Sequence, residues 1–280
     1  MEHRKLINAF NKEIRTLQKK TVSEDELREW YTLIKESIQD DIKDGYKETI
    51  SRNLTLGIGV HGGDYPKSLI LNGQQEGWKY VTRFLYWEEH ILRRLFKYKE
   101  VSSRTIGSII GLALLWEMKE LAQLARDYFQ MIFEEDAQRY AYKETHHLFM
   151  ALLHDLFVTE QINQELYTVL PEQHVYRRLL DHWSTADEEL LGSLMGEICD
   201  CHIYSSLDLT HKFAEILCLN YIPYEVRLIQ KMRQARRLTA ATAEHPLLAT
   251  PLAAIPESKV EWDLAGDEVY QFLLKREAGS

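Results

Sequence analysis

The sequence predicts an all-α protein: an irregular multi-helix bundle or repeat-like helical stack of roughly ten to twelve helices. Three observations predict it. Helix breakers are few, with 13 Gly and 6 Pro in 280 residues, and the prolines fall mostly late. Leu, Glu, Lys, Arg, Gln and Ala, which lose least on entering a helix, are abundant. Apolar residues recur at three- and four-residue spacing through most of the chain. At 45% hydrophobic, the chain can bury the core of a single helical domain spanning 1–280. An N-terminal helical subdomain 1–66 with a C-terminal helical body 74–280 is the alternative organisation.

The elements follow in order. Ser23 opens S-E-D-E with Glu26 three residues on, the spacing of a capping box. Leu27, Trp30, Tyr31, Leu33, Ile34 and Ile38 then mark one helical face, ending near Gly45. Residues 46–56 suit a second helix that leads into a glycine loop at 57–66. Gln74 to Tyr98 reads as a long helix with Trp78, Val81, Phe84, Leu85, Ile91, Leu92 and Leu95 on its apolar side. Ser102 and Ser103 precede a helix through Glu117, in which Gly107, Gly111 and Ala113 would let another helix approach closely. Further helices are expected at 119–133, 137–157, 160–170, 172–182 and 185–204, the last capped by Ser184. Leu207–Leu217 and Tyr224–Leu238 add two more. Residues 239–261 hold three of the six prolines and little periodicity. They predict an extended segment lying on the helices, since Leu247, Leu248, Leu252 and Ile255 need burial. A last helix is expected over 267–275.

Gly57, Gly59 and Gly62 match G-x-G-x-x-G. That motif binds a dinucleotide only between a strand and a helix, where backbone N–H groups meet a pyrophosphate. Here Gly63 and Pro66 are expected to break any helix at once, so no cofactor is expected. His61, Asp64 and Tyr65 make this the one polar cluster in a segment read as irregular, and a candidate partner contact. No G-x-S-x-G, P-loop or H-E-x-x-H is present.

Glu144 and His147 form one E-x-x-H step, and His154 follows seven residues later. Di-iron carboxylate bundles need two such steps, so the expectation is no metal. Cys199, Cys201, His202 and His211 lack the C-x-x-C spacing that lets two thiolates converge on zinc. Glu88 and Glu89 are adjacent on a helix and diverge by about 100°, so they form no natural dyad. No catalytic constellation emerges, and an enzyme is not expected.

Three cysteines and a charged N-terminus without an apolar core suit a cytoplasmic protein. The longest apolar run, Ile106–Trp116, is too short to span a bilayer, and no membrane role is expected. A net charge of −9 disfavours direct nucleic-acid binding and suits steering of a basic partner. Acidic clusters recur at Glu24–Glu26 and Asp187–Glu189. Two more, Asp40–Asp41–Asp44 and Glu134–Glu135–Asp136, join His61, Asp64 and Tyr65 as candidate partner-binding residues.

The text SIIGLALLWEMKELAQLARDYF (108–129), with YIPYEVRLIQKMRQARRL and EHPLLATPLAAIP (244–256), resembles the all-helical immunity proteins of bacterial polymorphic toxin systems, the PoNe-immunity type included. The resemblance covers the C-terminal two-thirds. It implies no enzymatic activity but stoichiometric binding to a cognate toxin domain across its active site, and it carries over no site residue. The partner expected is therefore a toxin domain, a basic nuclease being the one that acidity suits best. Two rivals stay open: a helical scaffold that binds peptides, and a metal-dependent helical enzyme centred on Glu144, His147 and His154. A homodimer through exposed Tyr and Trp is also open.

Overall fold

A computed structural model describes residues 2–20, 23–44, 59–95, 103–209, 212–240 and 242–278. Among these residues the chain is all-α, with thirteen α-helices and no strand. The helices are α1 His3–Lys19, α2 Glu24–Lys43, α3 Gly59–Leu71, α4 Gly77–Leu95, α5 Ser103–Leu115, α6 Lys119–Glu135 and α7 Ala137–Tyr142. There follow α8 Thr145–Thr159, α9 Gln164–Val169, α10 Val175–His182, α11 Glu188–Ser206, α12 Tyr224–Ala235 and α13 Glu268–Ala278. Among the described residues, no helix is long and apolar enough to cross a membrane. The helix expected at 46–56 lies outside the described residues.

The backbone groups into two units. The first comprises Met1–Arg15 and Ser103–Ser258, the second Thr16–Ser102 and Lys259–Ser280.

In the first unit α5 is central, and every residue from Thr105 to Leu115 is buried. Its glycines explain how. A Cβ built at Gly107 would lie 2.8 Å from His147 Nδ1, and one at Gly111 2.3 Å from Tyr224 Cδ2. The small-residue face therefore admits α8 and α12 at backbone range, as the sequence predicts. In the segment after α12, Leu247 and Leu252 are buried and Pro251–Ala253 makes one 3-10 turn. Pro256 accepts a bond from Trp116 Nε1 at 2.9 Å.

In the second unit the Ser23–Glu26 capping box forms. Ser23 N donates to Glu26 Oε2 at 2.7 Å, and Glu26 N to Ser23 Oγ at 3.2 Å. Arg83 is the unit's polar anchor. Its Cζ lies 4.2 Å from the Tyr31 ring centroid, 4.2 Å from Trp87 and 4.7 Å from Trp262. Its Nε donates to Asp267 Oδ2 at 2.7 Å. Asp267 also accepts from the Val269 and Tyr270 N–H groups, both at 3.0 Å, and so caps α13.

Four expectations need correction. Residues 59–71 are helical straight through Gly63 and Pro66. Proline removes one donor and crowds the Gly62 carbonyl four residues back, a local cost. Burial of Tyr65, Lys67, Ser68, Ile70 and Leu71 outweighs the local penalty. The single helix over 137–157 is two, broken at Lys143–Glu144. There the Lys143 and Glu144 N–H groups both turn back to Arg139 O, at 2.8 and 3.0 Å. The helix expected over Leu207–Leu217 does not form among its described residues, 207–209 and 212–217, because their backbone donors go elsewhere. Glu215 N and Ile216 N bond Ser205 O at 2.6 and 3.0 Å, and Leu217 N bonds Arg104 O at 3.0 Å. The cap of α11 is Asp187, whose Oδ1 accepts from Leu190 N at 3.0 Å, not Ser184.

Candidate functional site

The first unit contains a polar cluster in its apolar core. His146 and His147 open α8, His202 lies near the end of α11, and Tyr224 and Glu225 begin α12. All five are fully buried. His146 Nε2 meets Tyr224 OH at 2.8 Å, and His146 Nδ1 meets Tyr176 OH at 3.2 Å. Tyr224 OH meets Ser108 Oγ at 2.9 Å, and His202 Nδ1 meets Glu225 Oε1 at 2.6 Å.

Burial sets the charge states. It holds His146 well below the usual imidazole range, with His202 and His147 adding to the effect. It lowers His147 to about 4. It raises the Tyr176 and Tyr224 phenols well above their usual range, Glu225 adding to both. With a neutral imidazole and two protonated phenols, one His146 nitrogen accepts an O–H and the other donates to a phenol oxygen.

Glu215 ties this core to the surface. Its Oε1 accepts the His146 backbone N–H at 2.7 Å and its Oε2 accepts Ser205 Oγ–H at 2.9 Å. Burial pushes its carboxyl up to about 7. Above it opens a cleft of about 750 Å³ that Tyr176, Ser205 and Glu215 help to line. Arg104, Arg139, Lys143 and Lys212 supply cations against Glu144 and Glu215, so the cleft is locally basic on an acidic chain. Arg139 pairs with Glu144 at 2.6 Å, and Lys212 Nζ lies 4.2 Å from the Tyr204 ring centroid. Two aromatics line the cleft from outside: Phe213, 86% exposed, and Tyr142, 76% exposed.

The residues singled out from sequence lie elsewhere. Asp40, Asp41 and Asp44 occupy the end of α2, with Asp40 paired to Lys43 at 2.9 Å. Asp64 pairs with Lys20, and with Lys67 at 3.2 Å. Burial alone would raise its carboxyl, but the two lysines hold it below its usual range. Tyr65 is buried edge-on to Tyr80, at 4.9 Å between centroids. The His61 side chain lies outside the described residues. Glu134 accepts from Gln130 Nε2 at 3.0 Å, Glu135 is exposed, and Asp136 caps α7 through Arg139 N at 3.1 Å.

Glu144, His147 and His154 do not converge. Glu144 faces Arg139, His147 Nδ1 accepts from Gly107 N at 3.3 Å, and His154 meets Asp155 at 3.2 Å. The His/Cys/carboxylate groupings among the described residues are instead His146–His202–Glu225 and His3–Asp200–His245. Burial pushes the Cys201 thiol up to about 12 and raises Cys199 as well, so both stay protonated thiols. Ser108, Glu215, Tyr224 and Glu225 escape sequence reasoning because each is one residue in an unremarkable context. The only local signal is a His-His pair opening an otherwise apolar helix and a Tyr-Glu pair opening an amphipathic one. Compared with protein-family models, curated proteins and solved structures, the chain matches none.

Proposed function

We propose that this chain is a non-enzymatic immunity protein that binds a cognate bacterial toxin domain in the cytoplasm and covers its active site. The observation that carries a binding role is the aromatic pair at the cleft. A phenylalanine 86% exposed and a tyrosine 76% exposed, lining one cleft with two arginines, have the composition of interface anchors. The interior polar groups support the same role. Both Glu215 oxygens and both His146 nitrogens are spent on neighbouring protein groups, so they brace the cleft. The resemblance to helical immunity proteins names the kind of partner; the −9 charge steers a basic one at long range, and the cationic cleft then takes an acidic segment of it.

Co-expression with the product of the adjacent gene tests the proposal. The expected result is a one-to-one complex that survives washing, with relief of that product's toxicity. An association rate that falls with added salt is expected for the steering component. No complex and no protection would refute the reading.

A further inference from the structure

We propose that the core of the first unit binds one divalent transition-metal ion of the zinc class between His146, His202 and Glu225. One ligand atom from each residue lies within 4.8 Å of the others, and all three residues are fully buried. They come from α8, α11 and α12, so the ion would join three helices that no disulfide links.

A second observation is independent of that spacing. His202 Nε2 and Glu225 Oε2 are buried without a hydrogen-bond partner. Folded proteins leave few such atoms unmatched, and each calls for an explanation. A cation supplies one for the carboxylate oxygen. It would take the place of the proton between His202 Nδ1 and Glu225 Oε1, now 2.6 Å apart, and engage Glu225 Oε2 as well.

The donor set chooses the ion. Two imidazoles and one carboxylate suit zinc and its neighbours, whereas calcium and magnesium prefer all-oxygen shells. Binding would take one His146 nitrogen from its tyrosine partner, and a water or the released Tyr224 hydroxyl would fill the fourth position. Tyr176 borders the cleft and its hydroxyl meets His146, so one side chain links the site to that opening. The other grouping, His3–Asp200–His245, is a built-in control. It lies at the surface, with the His3 side chain 66% exposed, and Asp200 Oδ1 already meets both imidazoles at 3.3 and 3.1 Å.

The experiment uses the untagged full chain, loaded with zinc, dialysed against metal-free buffer and measured by elemental mass spectrometry. About one equivalent per chain is expected to remain. Glu225→Gln, which keeps the side-chain shape, should lower retention at least tenfold, and His245→Ala should leave it unchanged. The wild-type chain gives a check that needs no variant. A chelator should lower its thermal midpoint and added zinc restore it, and cobalt should give tetrahedral visible bands. Retention below about a tenth of an equivalent would overturn the proposal. So would loss of metal in His245→Ala with retention in Glu225→Gln.

Discussion

Replacing Glu215 by Gln should abolish the pH dependence that this one carboxyl imposes on the first unit. Burial raises the group from its ordinary 4.5 to about 7. The folded protein therefore holds a proton between pH 4.5 and 7 that the unfolded chain has released. Its contribution is fully present below pH 4.5 and is lost as pH rises through about 7. At ~1.4 kcal/mol per pH unit, the span corresponds to about 3 kcal/mol. Glutamine keeps the shape, accepts the His146 N–H and lets Ser205 reverse its hydroxyl, but has no proton to lose. Relative to wild type, Glu215→Gln should gain about 3 kcal/mol between pH 4.5 and pH 8. His147, held near 4, imposes the opposite slope, losing stability as pH falls from 6.5 toward 4. It is present in both proteins and cancels in the difference. The assay is urea unfolding across this pH range, read by hydrogen exchange over 145–159 so that only the first unit reports. A wild-type-to-variant difference that stays flat within about 0.5 kcal/mol would refute the reasoning, because it would mean an ordinary solvated carboxylate.

Three further predictions concern packing and binding. Gly111→Ala places a Cβ 2.3 Å from Tyr224 and should destabilise the first unit by about 2–3 kcal/mol in urea unfolding, whereas a neutral result would refute close α5–α12 packing. Asp267→Asn leaves the enclosed Arg83 guanidinium without its counter-charge. It should cost the second unit about 3–5 kcal/mol, read by tryptophan fluorescence during unfolding. If the proposed function holds, Phe213→Ala should weaken binding of the proposed toxin partner at least tenfold, by calorimetry or surface binding, while stability stays within about 0.5 kcal/mol.

The helical class was legible because it rests on local quantities. Apolar spacing placed α2, α4, α5 and α6, and the Ser23–Glu26 box placed a start to the residue. Gly107 and Gly111 were legible as close-approach sites, since two small residues at i, i+4 leave one face flat. What failed was decided at long range. Pro66 argues locally against a helix, but Ser68 bonds Lys20 O, 48 residues back, and Tyr65 packs edge-on to Tyr80. Leu207–Leu217 has helical spacing, yet its donors are claimed by Ser205 and Arg104. The candidate site fails for the same reason. His146 bonds residues 30 and 78 positions away, and no spacing rule spans such distances.

The same long-range bonds connect core to rim. Phe213, Ala214 and Glu215 are consecutive, so whatever fixes Glu215 also fixes the exposed phenylalanine. Ala214 N is held by Asp208 Oδ1 at 2.5 Å and Ala214 O by Arg104 Nε at 2.8 Å, while Glu215 reaches both α8 and α11. Glu215 is thus a positioning residue for the proposed contact, although it need not touch the partner. Glu215→Ala removes both bonds, leaves the His146 N–H and Ser205 hydroxyl unmatched and releases the segment that carries Phe213. Affinity for the toxin should fall several-fold with the charged rim untouched, and Glu215→Gln should restore it. If glutamine binds as poorly as alanine, the carboxylate charge itself is what the partner meets. If both bind like wild type, Phe213 is placed by other means and the link from core to rim is broken.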